Sequence, residues 1–165
     1  MNEQTLWFGW FRADIIQEYE ALFWSGLKMT VGVTVVCILQ GTLLGLLVGL
    51  ARLADARQPL ARAACRFLLR WPATVYVSFF RGTPLFVQIL LMHFAVVPLV
   101  LNPTDGWLIA GDAARDLRQN HGALITGIVA LTLNSGAYIS EIFRAGIQSI
   151  DRGQMEAARS LGLSY

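Results

Sequence analysis

The sequence predicts an all-α, polytopic membrane protein with three spanning helices, and three observations carry that prediction. Mean hydropathy is positive, with 55% hydrophobic and only 15% charged residues, less charge than a water-soluble domain of this size needs. Three uncharged runs approach the length that crosses a hydrocarbon core. Basic residues crowd one connection between those runs and are offset by acids in the other. A net charge of +2 excludes nucleic acid as an expected partner, and the lipid bilayer takes its place.

The N-terminus reads Met-Asn-Glu-Gln-Thr-Leu-Trp and carries acids at Asp14, Glu18 and Glu20, unlike the basic start of a secretory leader, so the first apolar segment is expected to stay. Residues 1–24 form an external segment, with Leu6 to Trp24 as an interfacial helix anchored by Trp7, Trp10 and Trp24. Span one covers 29–51, a run of roughly 23 residues reaching about 35 Å as a helix. Its Gly41, Gly45 and Gly49 recur every fourth position and open one face to close approach by another helix. Cys37 lies in this apolar run and Cys65 in an arginine-rich one, so both are structural, without disulfide or metal-ligand spacing.

Arg52, Arg57, Arg62, Arg66, Arg70 and Arg81 face a single acid, Asp55, between spans one and two, which holds this connection in the cytoplasm. Within it, Ala61 to Val77 mixes arginines with Leu68, Leu69, Trp71 and Tyr76, as an interfacial helix under the bilayer does. Alternation then puts the N-terminus outside, the Asn102 to His121 loop outside, and everything after Glu141 inside. Span two covers 83–101, with Thr83 free to cap it, Pro84 in its first turn and Arg81 at headgroup level. Its polar Gln88 and His93 either face a cavity or bond to neighbouring helices, and the second role is favoured. In the outer loop Arg115 and Arg118 sit among Asp105, Asp112 and Asp116, beside the turn formers Asn102-Pro103 and Asp105-Gly106.

Span three covers 122–140. Gly127, Asn134, Tyr138 and Glu141 follow steps of seven, four and three and share one face, which is expected to look inward. Asn134 and Tyr138 either line a solute path or bond to adjacent helices; the two roles stay open. Glu141 and Arg144, one turn apart at the inner boundary, are expected to form an ion pair. Beyond lies a segment in which Asp151 and Gln154 have capping-box spacing, alanines favour helix, and Gly162 is placed to end it. Such a short helix needs a docking partner for stability. No catalytic, metal or cofactor site is expected: the only lysine, Lys28, precedes Met29 and so builds no phosphate-binding loop, while His93 and His121 lack ligands at metal spacing.

Ser78-Phe79-Phe80-Arg81-Gly82-Thr83-Pro84-Leu85 with Val87-Gln88 resembles the second-span signature of polar amino acid ABC permeases. Thr132-Leu133-Asn134-Ser135-Gly136-Ala137-Tyr138-Ile139-Ser140-Glu141-Ile142-Phe143-Arg144-Ala145-Gly146, running into Gly153-Gln154-Met155-Glu156-Ala157-Ala158 and Leu161-Gly162, is similar to that family's third span and EAA loop. The resemblance extends from about Leu22 to the last residue. It implies the type I importer permease fold over 25–165, with 141–165 as a cytoplasmic coupling loop, in a multi-pass cell inner membrane protein. It also implies an importer of polar amino acids such as glutamine, glutamate, histidine or arginine. Its partners are a second permease subunit, cytoplasmic ABC ATPase subunits that hydrolyse the ATP, and an external amino-acid-binding protein. Gly153, Gln154, Glu156, Ala157, Ala158 and Gly162 carry the coupling contact by this resemblance. Family members continue beyond this loop, usually to five spans, so a C-terminally truncated or partial chain is expected. A non-transporting membrane fragment that binds an ATPase subunit as an assembly or interfering partner is the alternative.

Overall fold

The computed structural model describes residues 18–54 and 59–162. Trp7, Trp10, Asp55 and Arg57 therefore lie outside the described residues. The chain divides into two compact units, residues 1–36 and 37–165.

Helix α1 runs Glu20–Leu53, passing through Trp24 without a break; the Trp24 indole N–H donates to Glu20 Oε1 at 3.3 Å. A wide π-helical turn at Arg66–Arg70 joins α2 (Pro59–Cys65) to α3 (Trp71–Gly82), so the arginine-rich connection is helical as expected but extends to Gly82. Thr83 and Pro84 break the chain direction. Helix α4 (Leu85–Leu91), a second π-helical turn at Met92–Val96 and α5 (Val97–Val100) follow. Helix α6 spans Asp112–Gln148 and α7 spans Arg152–Ser160. Among the described residues, two helices are long and apolar enough to cross a membrane, α1 and α6. The pair Arg62–Gly82 and Leu85–Val100, bent by 111°, meets the same measure together.

The expected outer loop over 102–121 is shorter than the sequence suggested, because α6 begins at Asp112 and absorbs Arg115 and Arg118. Charge drew that boundary in the sequence, yet charged residues continue a helix readily where it leaves the apolar layer. The remaining loop folds on itself: Trp107 N donates to Leu99 O at 3.2 Å, and Leu108 N to Val100 O at 3.2 Å. Gly106 is required there, since a Cβ would lie 2.1 Å from Ile109 O.

The glycines of α1 do bring two helices together. A Cβ at Gly45 would meet Ile139 Cγ2 at 2.8 Å and Gly136 O at 2.9 Å, and one at Gly41 would meet Ser135 Cβ at 3.0 Å. From the other side, a Cβ at Gly136 would lie 3.0 Å from both Leu44 Cδ2 and the Tyr76 hydroxyl. Gly136 is thus where α1 and α3 both close on α6. The inward face of α6 differs from the expected one: its buried residues include Gly122, Thr126, Ala130, Ala137 and Ser140, whereas Tyr138 is 49% exposed. Small side chains win that face because they let backbones approach, which is worth more between membrane helices than polarity alone. Phe80, Met92, Ala130 and Ala137 form the core cluster, while large apolar side chains such as Leu39, Phe67 and Phe94 are exposed, as suits lipid-facing positions.

Replacing Gly45 with alanine should lower the thermal unfolding midpoint in detergent, an overpacking cost of about 1–3 kcal/mol. Gly32→Ala, where a Cβ meets nothing within 4 Å, should leave it unchanged; equal midpoints for the two variants would contradict the packing described.

Candidate functional site

The break between α3 and α4 leaves backbone carbonyls with no helical partner, and side chains take their place. Thr83 (φ −116°, ψ 144°) and Pro84 (φ −62°, ψ 137°) are both extended, as expected for a residue preceding proline and for a proline that ends a helix. Contrary to expectation, Thr83 does not cap the following helix, and Pro84 precedes that helix instead of lying in its first turn. The Thr83 hydroxyl turns back and donates to Phe79 O at 2.8 Å. The two N–H groups of the Gln88 carboxamide are shared among Phe80 O at 2.8 Å, Thr83 O at 3.0 Å and Thr83 Oγ1 at 2.8 Å. Three oxygens around one end fix which end is nitrogen. Gln88 Oε1 then accepts from Asn134 Nδ2 at 3.0 Å, and Asn134 Nδ2 also approaches Phe80 O at 3.4 Å. Gln88 is 1% exposed, and no buried side-chain nitrogen or oxygen among the described residues lacks a partner.

These contacts set the course of the second span. Gln88 meets Asn134, and further along His93 Nδ1 lies 3.2 Å from Thr126 Oγ1, so Leu85–Val100 climbs antiparallel to α6. The single Thr126 hydroxyl proton goes to Gly122 O at 2.7 Å. His93 therefore carries its proton on Nδ1 and donates to Thr126. Gln88 and His93 both bond to neighbouring elements in this structure.

Below the elbow, Glu141 gathers three guanidinium groups. Arg52 Nη1 lies 2.6 Å from Oε1 and Arg81 Nη1 3.3 Å from the same oxygen. Arg144 meets Oε2 through Nη2 at 2.8 Å and Nε at 2.9 Å, and its Nη1 donates to Gln148 Oε1 at 2.7 Å. The Arg81 guanidinium also lies 5.5 Å from the centroid of the Tyr138 ring. One carboxylate thus joins the C-terminal ends of α1 and α3 to α6. Sequence spacing finds Arg144 because it is local; Arg52 and Arg81 are distant in sequence. Their common signal was position, since each lies at the end of an apolar or amphipathic run on the same side.

Seven residues past Arg144, Asp151 caps α7: its Oδ1 accepts from Gly153 N at 2.7 Å. The capping box is only half formed, since among the described residues no bond returns from Gln154 to the Asp151 backbone N–H. Gly162 (φ 79°) ends the helix in the left-handed region, and its N–H donates to Arg159 O at 3.0 Å. Gly153, Gln154, Glu156, Ala157 and Gly162 are exposed and Ala158 is partly buried. Ile150, Met155 and Leu161 add exposed apolar surface to this end of the chain.

A family model described as the binding-protein-dependent transport system inner membrane component matches residues 41–165. The arginine transport system permease protein ArtQ of Bacillus subtilis is 36% identical over 86% of this chain and 52% of its own length. The L-cystine transport system permease protein TcyB of the same organism is 31% identical over 92% of this chain and 53% of its own. A putative glutamine transport system permease protein, GlnP of Rickettsia prowazekii, is 33% identical over 84% and 51%. The chain spans about half the length of these relatives. A crystal structure of an amino acid ABC transporter with histidines superposes with a TM-score of 0.63 at 33% identity, covering 94% of this chain and 59% of that one. The chain therefore belongs to the family of binding-protein-dependent transport system inner membrane components, among relatives that are amino-acid ABC transporter permeases.

Proposed function

We propose that this chain belongs to the membrane-spanning permease subunit of an ATP-driven importer that moves polar amino acids into the cytoplasm. The supporting observation is the capped, exposed helix α7, joined to the C-terminal end of the continuous 37-residue helix α6 by a short turn. In this reading Gly153, Gln154, Glu156, Ala157 and Ala158 enter a cleft of a cytoplasmic ATPase subunit, and Gly162 ends the helix so that it fits. Movement there passes as a rigid-body displacement along α6. It reaches the Glu141 junction first and then the Gln88–Asn134 elbow, where Tyr138 and Asn134 flank the solute's route together with a second permease subunit. An external binding protein delivers the solute on the opposite side.

The permease domain is assigned to 25–165, the N-terminus to the outside and the 141–165 loop to the cytoplasm, in keeping with the arginines that follow span one. The choice among amino acids is left to the binding protein and to the partner subunit.

Co-purification tests the coupling contact. The full chain should retain its ATPase subunit in detergent, whereas Glu156→Lys and Ala157→Asp should lose it while keeping the unfolding midpoint of the parent. Retention by both variants would remove α7 from the contact.

The Glu141 junction yields a separate expectation. Glu141→Gln leaves three guanidinium groups around a neutral amide and should cost about 1.5–3 kcal/mol, the range for hydrogen bonds to charged groups, read as a lower midpoint in detergent. Arg81→Gln should cost less, because the Arg81 side chain is 44% exposed and water already screens it. If Arg81→Gln proved the more damaging of the two, Glu141 would not be the centre of the junction.

A further inference from the structure

Arg66, Arg70, Trp71 and Thr74 line an open hollow of about 390 Å³ on the helix that precedes the elbow. The π-helical turn at Arg66–Arg70 creates it. Positions five apart lie about 140° from one another around an α-helix. Here the Trp71 N–H donates to the Arg66 carbonyl across a five-residue turn, which brings the two side chains to one side. Such turns are uncommon and concentrate at functional sites. Among the described residues, the guanidinium groups of Arg66 and Arg70 have neither an ion-pair nor a hydrogen-bond partner, and the Trp71 indole N–H has no acceptor. Like charges four apart repel on a helix, and among the described residues none supplies a counter-ion to these two arginines. The Thr74 hydroxyl donates to Arg70 O at 2.7 Å and leaves the donors of the hollow to the other three side chains. Phe67 and Leu68, on the same turn but outside the lining of the hollow, are exposed at 70% and 74%.

We propose that this hollow binds the headgroup of an anionic phospholipid. The Arg66 and Arg70 guanidiniums and the Trp71 indole N–H hold the phosphodiester, and the acyl chains lie against Phe67 and Leu68. Free phosphate would satisfy the two charges and the indole N–H as well; a lipid also accounts for the exposed apolar Phe67 and Leu68 on the same helical turn. The proposal rests on the reading that Pro59–Gly82 lies at the cytoplasmic surface, and it extends that reading to a site for one class of lipid.

Native mass spectrometry of the full chain in detergent, titrated with phosphatidylglycerol or phosphatidylcholine, tests it. Phosphatidylglycerol should bind in preference, and Arg66→Gln/Arg70→Gln should weaken it roughly fivefold per guanidinium removed. Arg66→Lys/Arg70→Lys should retain most of the binding, which separates charge loss from misfolding. Arg115→Gln/Arg118→Gln, an equal change of charge elsewhere, should leave it unaltered, and inorganic phosphate should not displace the lipid. Equal binding of the two lipids, undiminished binding by the Gln double variant, or displacement by inorganic phosphate would each overturn the site. The topology is read independently through Cys65, which is partly exposed while Cys37 is buried. A membrane-impermeant maleimide should label Cys65 from the cytoplasmic side alone, and labelling from outside would overturn the placement whatever the lipid result.

Discussion

A chain that turns by 111° between two apolar helices must answer for every carbonyl the turn sets free. In hydrocarbon there is no water to do so, and an unsatisfied backbone group costs on the order of several kcal/mol. Among the carbonyls at the end of α3 and in the break, those of Phe79, Phe80 and Thr83 are met by side chains: Thr83 and Gln88 from the elbow and, at longer range, Asn134 from α6. The direction of the second span, its antiparallel course along α6 and the placement of Arg81 next to Glu141 all follow from that local solution. Gln88 is suited to it because its nitrogen end serves the elbow while its oxygen end receives Asn134. One buried amide thereby ties the break to the helix it packs against.

The Glu141 junction works by a different balance. Three cations around one anion repel one another, and at an effective dielectric near 20 a pair of charges 4 Å apart is worth about 4 kcal/mol in either direction. The arrangement relieves that repulsion geometrically. Arg52 and Arg81 share Oε1, Arg144 occupies Oε2 through two nitrogens, and Arg81 rests on the Tyr138 ring while remaining 44% exposed. Arg144 also engages Gln148. The best-shielded guanidinium, Arg52 at 15% exposure, makes the shortest contact, as expected where less water competes. Because each arginine comes from a different helix or helix end, the junction ties the ends of α1 and α3 to α6.

Spans one and three were legible because uncharged runs and glycine spacing are properties of a single helix. The α1–α6 contact was half legible: Gly41, Gly45 and Gly49 announce a close approach, but nothing in one sequence names Gly136 as the surface approached. The elbow was misread at Thr83 and Pro84. Threonine before proline ahead of an apolar run looks the same whether the hydroxyl reaches forward to cap or backward to Phe79, and only the fate of the preceding carbonyls decides it. The polar face of α6 failed for a related reason, since a helical wheel places Tyr138 near Asn134 but cannot weigh it against the tighter packing offered by Ala130, Ala137 and Ser140. Arg52 and Arg81 were seen only as charges that orient a loop; that the same residues also converge on one carboxylate is tertiary information.

In the proposed importer the two junctions have different mechanical characters, and that difference bears on how motion would pass between them. The Glu141 contacts are ionic and partly exposed, so they tolerate small displacements and re-form with water as an intermediate partner. The elbow contacts are directional hydrogen bonds centred on the buried Gln88 carboxamide, so they have fewer alternative partners when displaced. A pull on α7 that shifts α6 would therefore be absorbed little at Glu141 and would load the Gln88–Asn134 bond, because α6 runs without interruption between them. The elbow is then the natural place for a rearrangement: it combines an extended, non-helical segment at Thr83-Pro84 with hydrogen bonds centred on one buried amide. A continuous helix on one side and a broken one on the other would let a displacement at the α7 end change the angle of the second span instead of merely translating it.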